Sequence, residues 1–293
     1  MSILNFIPTL WAESMMREMD RAHRFVQDCT REYEGQLKNA GDKVVIPMMT
    51  TPDVKTIKVP AKGAGRLIEI EDPTELSDSA IEVTATEFTY YNFAVSDVDK
   101  VQSKYNLMDE AQRQEAERIA NCHDKLVANL ATGADAVKLY GAAQKVVAGT
   151  AGEGEVNVLY LLDLAAQRLY ENDVPDSAEI IATVPPRFAT LLKQRYIEQD
   201  TNNSNLLKNG GIGKYGNITI RVSNNVNNAG TASAPQDNIM IRTKDSIAFV
   251  EQLSEVEAYR PEKLIGADAV KGGSLYGAKI IRPKKLIVAN ITY

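Results

Sequence analysis

From Asp97 to Thr132, the residues Val98, Val101, Tyr105, Met108, Ile119, Leu126 and Leu130 recur at a 3,4 spacing, the signature of one long helix with a buried stripe. Ser96 or Asp97 can cap its start, and Gly133 stops it. At 1.5 Å per residue the segment would extend roughly 50 Å, far beyond the common globular helix of about 11–12 residues. Polar Gln112 and Glu115 fall on the stripe midway, so part of it is expected to be solvated or to face a partner.

Strand patterns dominate the segment before the rod. Lys43–Pro47, Lys55–Val59 and Leu67–Glu71 are short β runs. Ile81–Val95 is a longer one, with Ile81, Val83, Ala85, Tyr91, Phe93 and Val95 on one face. Between them lies the flexible run Pro60-Ala61-Lys62-Gly63-Ala64-Gly65. The expected structure is a long β-hairpin that leaves the body of the protein. Its charges are ordered: Lys55, Lys58, Lys62 and Arg66 on the outgoing arm, and Glu69, Glu71, Asp72, Glu75, Asp78, Glu82 and Glu87 on the return arm. Either the two arms pair with each other, or the hairpin is a two-signed edge that docks on a neighbouring chain and sets its register. Residues 1–42 form an arm. It opens with an apolar patch that includes Phe6, Leu10 and Trp11, and continues as a polar, helix-like stretch from Glu13 to Arg31. Such an arm can pack on its own domain or reach a neighbour.

After the rod, a Gly- and Ala-rich linker (Gly141–Gly154) leads into an α/β segment. Val158–Tyr170 reads as a helix, Ala178–Val184 as a strand, and Pro186–Tyr196 as a helix with proline in its first turn. Asn217–Val222 is a strand between two polar, Asn-rich loops. Strands at Asn238–Arg242, Ala278–Pro283 and Leu286–Thr292 close the chain around Lys244–Glu251, which fits a short helix or a strand. The fold class is α+β.

Composition narrows the function classes. With 44% hydrophobic residues among 293, the chain can bury one large core or two modest ones. A net charge of -6 argues against a protein devoted to gripping nucleic acid, while leaving room for a local basic patch. Cys29 and Cys122 make no disulfide framework and suit a reducing cytoplasm. No signal peptide is expected, and no apolar run approaches the length of a membrane span. No metal is expected either: the two histidines are His23 and His123, and Cys122 and His123 point about 100° apart on a helix. G-x-S-x-G is absent, and no catalytic residue or cofactor is expected. Gly211-Ile212-Gly213-Lys214-Tyr215-Gly216 does match G-x-G-x-x-G. A polar loop precedes it and strand alternation follows, whereas a dinucleotide motif closes a strand and opens a helix. A loop needing positive φ is the expectation, and a phosphate-binding enzyme is the rival reading from another class.

The order of parts resembles the major capsid proteins of tailed bacteriophages. Gly41-Asp42-Lys43-Val44-Val45-Ile46-Pro47 looks like that family's G-D-x-V-x-I-P strand. Tyr90-Tyr91-Asn92-Phe93-Ala94-Val95-Ser96-Asp97-Val98-Asp99 looks like the return into its spine helix, and Asp124 stands where such proteins often carry an aspartate. Leu169 to Pro175 resembles an L-x-E-x-x-V-P segment, Val184 to Leu192 a strand-proline-helix unit, and Tyr276 to Pro283 the closing strand. The resemblance implies the Hong Kong 97-like capsid fold: an arm (1–42), an extended hairpin loop (43–96), a peripheral domain with the spine helix (97–157), an axial domain (158–243) and a return to the peripheral domain (244–293). It implies a structural protein of the virion, assembled in the bacterial host cytoplasm as pentamers and hexamers of an icosahedral shell. That shell would enclose double-stranded DNA without tight binding and without a membrane. No scaffolding domain is visible ahead of the arm, so a separate scaffolding protein and a portal are the expected partners. Candidate inter-subunit residues are Trp11, Lys55, Lys58, Lys62, Arg66, Glu69, Glu71, Asp72 and Glu75. A nanocompartment shell protein, which shares the fold and encloses enzymes, is the nearer alternative.

Overall fold

Residues 17–20, 22–33, 43–49, 56, 78–96, 107–198, 213–231, 234–253, 256–261 and 267–293 are described by the computed structural model. Strands β1 (Lys43–Met49), β2 (Asp78–Thr84) and β3 (Glu87–Ser96) precede helix α1 (Leu107–Asn129). Next come β4 (Val137–Lys138), β5 (Gln144–Val147), β6 (Glu155–Asn157), α2 (Val158–Glu171), β7 (Ile180–Val184) and α3 (Pro186–Glu198). The chain closes through β8 (Lys214–Tyr215), β9 (Ile218–Val222), β10 (Gln236–Thr243), β11 (Ile247–Leu253), β12 (Glu257–Tyr259), β13 (Ala267–Ile280) and β14 (Leu286–Thr292). Mixed helices and sheets of this kind match the expected α+β class.

These strands form three sheets among the described residues. β1 and β2 pair only with each other, antiparallel, from Lys43 opposite Thr84 to Met49 opposite Asp78. β3, β11 and β12 all pair with β13. The eight-stranded sheet runs β6-β5-β14-β10-β7-β9-β8, with β4 beside β14. Alternation on β10 shows how it is covered. Ile239 and Ile241 pack with Leu161, Leu162, Ala165 and Leu169 of α2 and with Phe188 and Leu192 of α3. Met240 points the other way, into a cluster with Phe25, Val127, Ala128, Phe249 and Val288. The C-terminal end of α1 is therefore held between the two larger sheets. Full burial of side chains this size stabilises by about 1.5–3 kcal/mol each.

Local signals explain the helices. The Asn157 side chain accepts the Leu159 N–H and caps α2, while Arg168 sits in the last turn against the helix dipole. Pro186 opens α3, where its missing N–H costs nothing. α1 passes through a 3₁₀ turn, Leu130–Thr132, and stops at Gly133 as expected. Its expected beginning, from Asp97 to Asn106, lies outside the described residues.

Three expectations need correction. Gln112 is buried and Glu115 half-buried, so the interruption in the helix stripe is not solvated. The stretch taken as a Gly- and Ala-rich linker contains β5, which pairs parallel with β14 and buries Val146. The expected single strand Ile81–Val95 breaks at Ala85-Thr86 and feeds two sheets. Val83 and Ala85 pack with Ala248, Val250 and Leu275. Tyr91 packs on the opposite side of the β13 sheet, with Ala116, Ile119 and Val270. One face in the sequence thus becomes two in space.

That break depends on a close backbone approach. A Cβ at Gly277 would lie 2.9 Å from Ala85 Cα and closer still to the Thr84 carbonyl. Backbone cannot yield there as a flexible side chain could. Gly277→Ala is therefore expected to destabilise the subunit by about 1–3 kcal/mol, read as a lower denaturant midpoint. Gly213→Ala, where a Cβ meets nothing within 4 Å, is the control. Equal midpoints for the two variants would contradict the close approach.

Candidate assembly interface

The arm is tied to the body by polar groups that are almost dry. Asp124, fully buried on α1, accepts three backbone N–H groups from the arm: Arg24 at 2.8 Å, Phe25 at 2.9 Å and Val26 at 3.1 Å. Burial pushes its carboxyl above the usual carboxylate range, and those three donors and Arg24 oppose the shift. Arg242 comes from the β10 face opposite α2 and α3. It is fully buried and donates to the carbonyls of Phe25, at 2.8 Å, and Asp28. Arg221 of β9 adds an ion pair at 2.6 Å to Asp28, whose carboxyl is also pushed up by burial. Thr30 then bridges onto β11, donating its N–H to Ile247 and accepting from Phe249.

A histidine pair lies at the same crossing. His23 Nε2 and His123 Nδ1 are 3.2 Å apart, and both rings are buried. Around them stand Asp20, 3.8 Å from His23, and Glu251, 3.9 Å from His123, with Arg31 reaching both acids. Desolvation, with Arg31 second, lowers His23 to about 4. Desolvation, with His23 and Arg31, lowers His123 to about 3. Both rings are neutral at pH 7.

The hairpin root is packed on the β11–β13 sheet through Val44, Ile46, Val83 and Ala85. Lys43 pairs with Glu82 across it at 2.7 Å, and Lys279 reaches the Glu82 carbonyl at 3.1 Å. This ion pair joins β1 to β2 at the root. Trp11, Lys55, Lys58, Lys62, Arg66, Glu69, Glu71, Asp72 and Glu75 all lie outside the described residues. Beside the root, β3 turns Phe88 (54% exposed) and Tyr90 (73% exposed) to the same sheet face as Leu275, with their rings stacked at 6.5 Å. This aromatic pair was missed in the sequence. The run Phe88-Thr89-Tyr90-Tyr91-Asn92-Phe93 carries aromatics in both phases of the strand, which signals two covered faces.

Among the described residues no group of three His, Cys, Asp or Glu could hold a metal, and no helix is long and apolar enough to cross a membrane. The described part of the glycine motif, residues 213–216, lies in a hairpin. Gly216, at φ +55, and Asn217 form the turn between β8 and β9, where a dinucleotide motif would open a helix.

Comparison with known proteins follows from this geometry. Residues 81–289 match the phage capsid protein family. Among solved structures, Mycobacterium phage Che8 aligns with a TM-score of 0.69 at 23% identity, covering 91% of this chain and 90% of that one. The capsid of cyanophage P-SCSP1u aligns at 0.62 and 15% identity, covering 87% and 84%. A virus-like particle from Pyrococcus furiosus aligns at 0.52 and 11%, covering 94% and 96%. At these identities the structures establish the fold, which is the Hong Kong 97-like capsid fold. A search of curated proteins found no match.

The histidine pair makes the fold acid-sensitive. A histidine whose folded value lies below its unfolded value of about 6.5 contributes stability above that pH. The contribution is lost as pH falls from about 6.5 through the folded values of about 4 and about 3. The raised carboxyls of Asp28 and Asp124 act oppositely, because the folded state takes up their protons first. That offset begins only as those carboxyls titrate, so the histidines govern the upper part of the window. The melting temperature of the unassembled subunit should therefore fall between pH 7 and pH 5, and His23→Gln should flatten the dependence. An unchanged or rising melting temperature at pH 5 would contradict the neutral pair.

Proposed function

This chain belongs to the phage capsid protein family, and on that premise we propose how a major capsid protein with this structure builds its shell. As a virion shell component it assembles with copies of itself. We propose that the copies form pentamers and hexamers of an icosahedral shell around double-stranded DNA, in the cytoplasm of the bacterial host, with a separate scaffolding protein and a portal. The role is structural, without catalysis. The division into arm, hairpin loop, peripheral domain and axial domain is part of the same proposal.

One observation carries the reading beyond the family: β1 and β2 make a two-stranded sheet of their own whose root packs on the body. The body covers one face of this sheet and leaves Val45 of the other face 51% exposed, and a two-stranded ribbon gains stability from a further covering surface. A neighbouring subunit supplies one in a shell, and symmetry repeats each modest contact many times. Trp11 on the arm and the ordered charges of the hairpin are then inter-subunit contacts. Lys55, Lys58, Lys62 and Arg66 face acids of one neighbour, and Glu69, Glu71, Asp72 and Glu75 face bases. The exposed Phe88 and Tyr90 add an apolar patch next to the root.

Exposed ion pairs contribute only about 0.2–1 kcal/mol each, and salt screens them over about 8 Å at physiological strength. Replacing Lys55, Lys58 and Lys62 by Gln should leave the melting temperature of the subunit nearly unchanged. It should raise the concentration needed for assembly by about threefold or more, most strongly at low salt. Light scattering against concentration at two salt levels reads this out. Assembly identical to wild type at both levels would make the charge order a solvated surface only.

A further inference from the structure

The polar latch that holds the arm also builds a basic cleft. Arg24 of the arm, Arg118, Asn121 and Lys125 of α1, and Ser223 and Asn225 after β9 line an open depression of about 560 Å³. Its lining holds three cations and no carboxylate, in a chain whose net charge is -6. The pattern is built into the helix. Positions 118, 121 and 125 recur at i, i+3 and i+7, so they share one face. Arg118 and Lys125 are about 10 Å apart along the axis, close to the rise of three base steps at about 3.4 Å each.

The walls are fixed. Asn225 Nδ2 donates to Asn121 Oδ1 at 2.8 Å, which leaves the Asn121 amide N–H groups available to an acceptor. Asp124 holds the Arg24 backbone N–H at 2.8 Å, so the arm cation is placed by the latch. Arg118 also meets Glu115 at 3.3 Å, with part of its five-donor fork remaining.

We propose that this cleft binds the phosphodiester backbone of DNA enclosed by the shell, a proposal that rests on the reading of the chain as a genome-enclosing capsid protein. Cations flanked by amide and hydroxyl donors suit phosphate oxygens, and such contacts carry no sequence information. An acidic protein segment is the rival occupant. Protein partners usually anchor on aromatic or aliphatic pockets, and this lining offers only Ala22, half-exposed Cys122 and Val222. Three phosphate contacts give weak, salt-labile binding, which suits a container that releases its contents.

The test is fluorescence anisotropy of a labelled duplex of about 25 base pairs with the full-length unassembled subunit, across a salt series. The expected slope of log K against log salt is about -2.7, from about 0.9 per phosphate neutralised, independent of sequence. Arg118→Gln and Lys125→Gln should each reduce it by about one without shifting the melting temperature, Arg24→Gln should reduce it equally with some loss of stability because its charge also supports the Asp124 carboxylate, and all three together should abolish binding. No binding at 25 mM salt, or a slope that the variants leave unchanged, would overturn the proposal. So would polyglutamate that displaces the duplex at equal charge concentration and loses its own binding in the same variants, because the cleft would then belong to an acidic protein. Light scattering and nucleic-acid absorbance of particles from the triple variant separate this from the parent reading. Particles that form and fill with DNA while the cleft is inert sink the cleft alone, whereas a wild type that never forms particles sinks the capsid reading.

Discussion

The Asp124 carboxylate takes three backbone N–H groups of the arm onto α1, and the rest of the body is registered on that contact. It fixes the turn Val26–Asp28 at the point where Arg242 collects the carbonyls of Phe25 and Asp28. A buried donor left without its acceptor costs about 1–3 kcal/mol, so the arm, α1 and β10 cannot separate piecemeal. Phe25, Val26 and Cys29 then complete the apolar cluster between the two larger sheets. Hydrophobic burial supplies most of the free energy there, and the polar groups dictate which segment fills the gap.

This arrangement suits a shell subunit. The two-stranded sheet of β1 and β2, the hairpin root, is joined to the body through Val44, Ile46, Val83 and Ala85. Gly277 of β13, beside Ala85, lets the chain pass from β2 to β3 without a side chain in the way. Aromatics that would be a liability on a monomer, Phe88 and Tyr90, are exposed beside that root, where a neighbouring subunit can cover them. The family match gives no support to the nanocompartment and phosphate-enzyme alternatives. The end of the glycine motif that suggested the enzyme, Gly216, sits in the turn of a hairpin.

Much of the fold was legible because it rests on local periodicity. α2, α3, β7, β9 and β14 fall within a few residues of their expected places, since each has an uninterrupted pattern and a cap, proline or turn residue near its edge. β5 was hidden because Ala and Gly around Gln144–Val147 look like linker, and only pairing with β14 and β6 makes it a strand. β13 was read only at its end because Gly272, Gly273 and Gly277 break its pattern. They are there because neighbouring chain comes too close for a Cβ. Gln112 misled for a related reason: polarity on a helix stripe says nothing about what covers it. Of the interface, the charge order was plain in the sequence, while the latch was not. The donors to Asp124 are backbone groups 98 to 100 residues away, and Arg242 ends a strand that reads as apolar.

The most direct measurement is amide hydrogen exchange at Arg24, Phe25 and Val26 in the wild type and in Asp124→Ala, on the unassembled subunit. If the carboxylate is what holds the arm, these three amides exchange as slowly as the β10 and β14 core in the wild type. In the variant they should exchange at least about 100-fold faster, as expected when some 3 kcal/mol of local stability is lost, while the β10 and β14 amides lose much less protection. Equal protection of the three amides in both proteins would contradict the account, because the arm would then be held without Asp124.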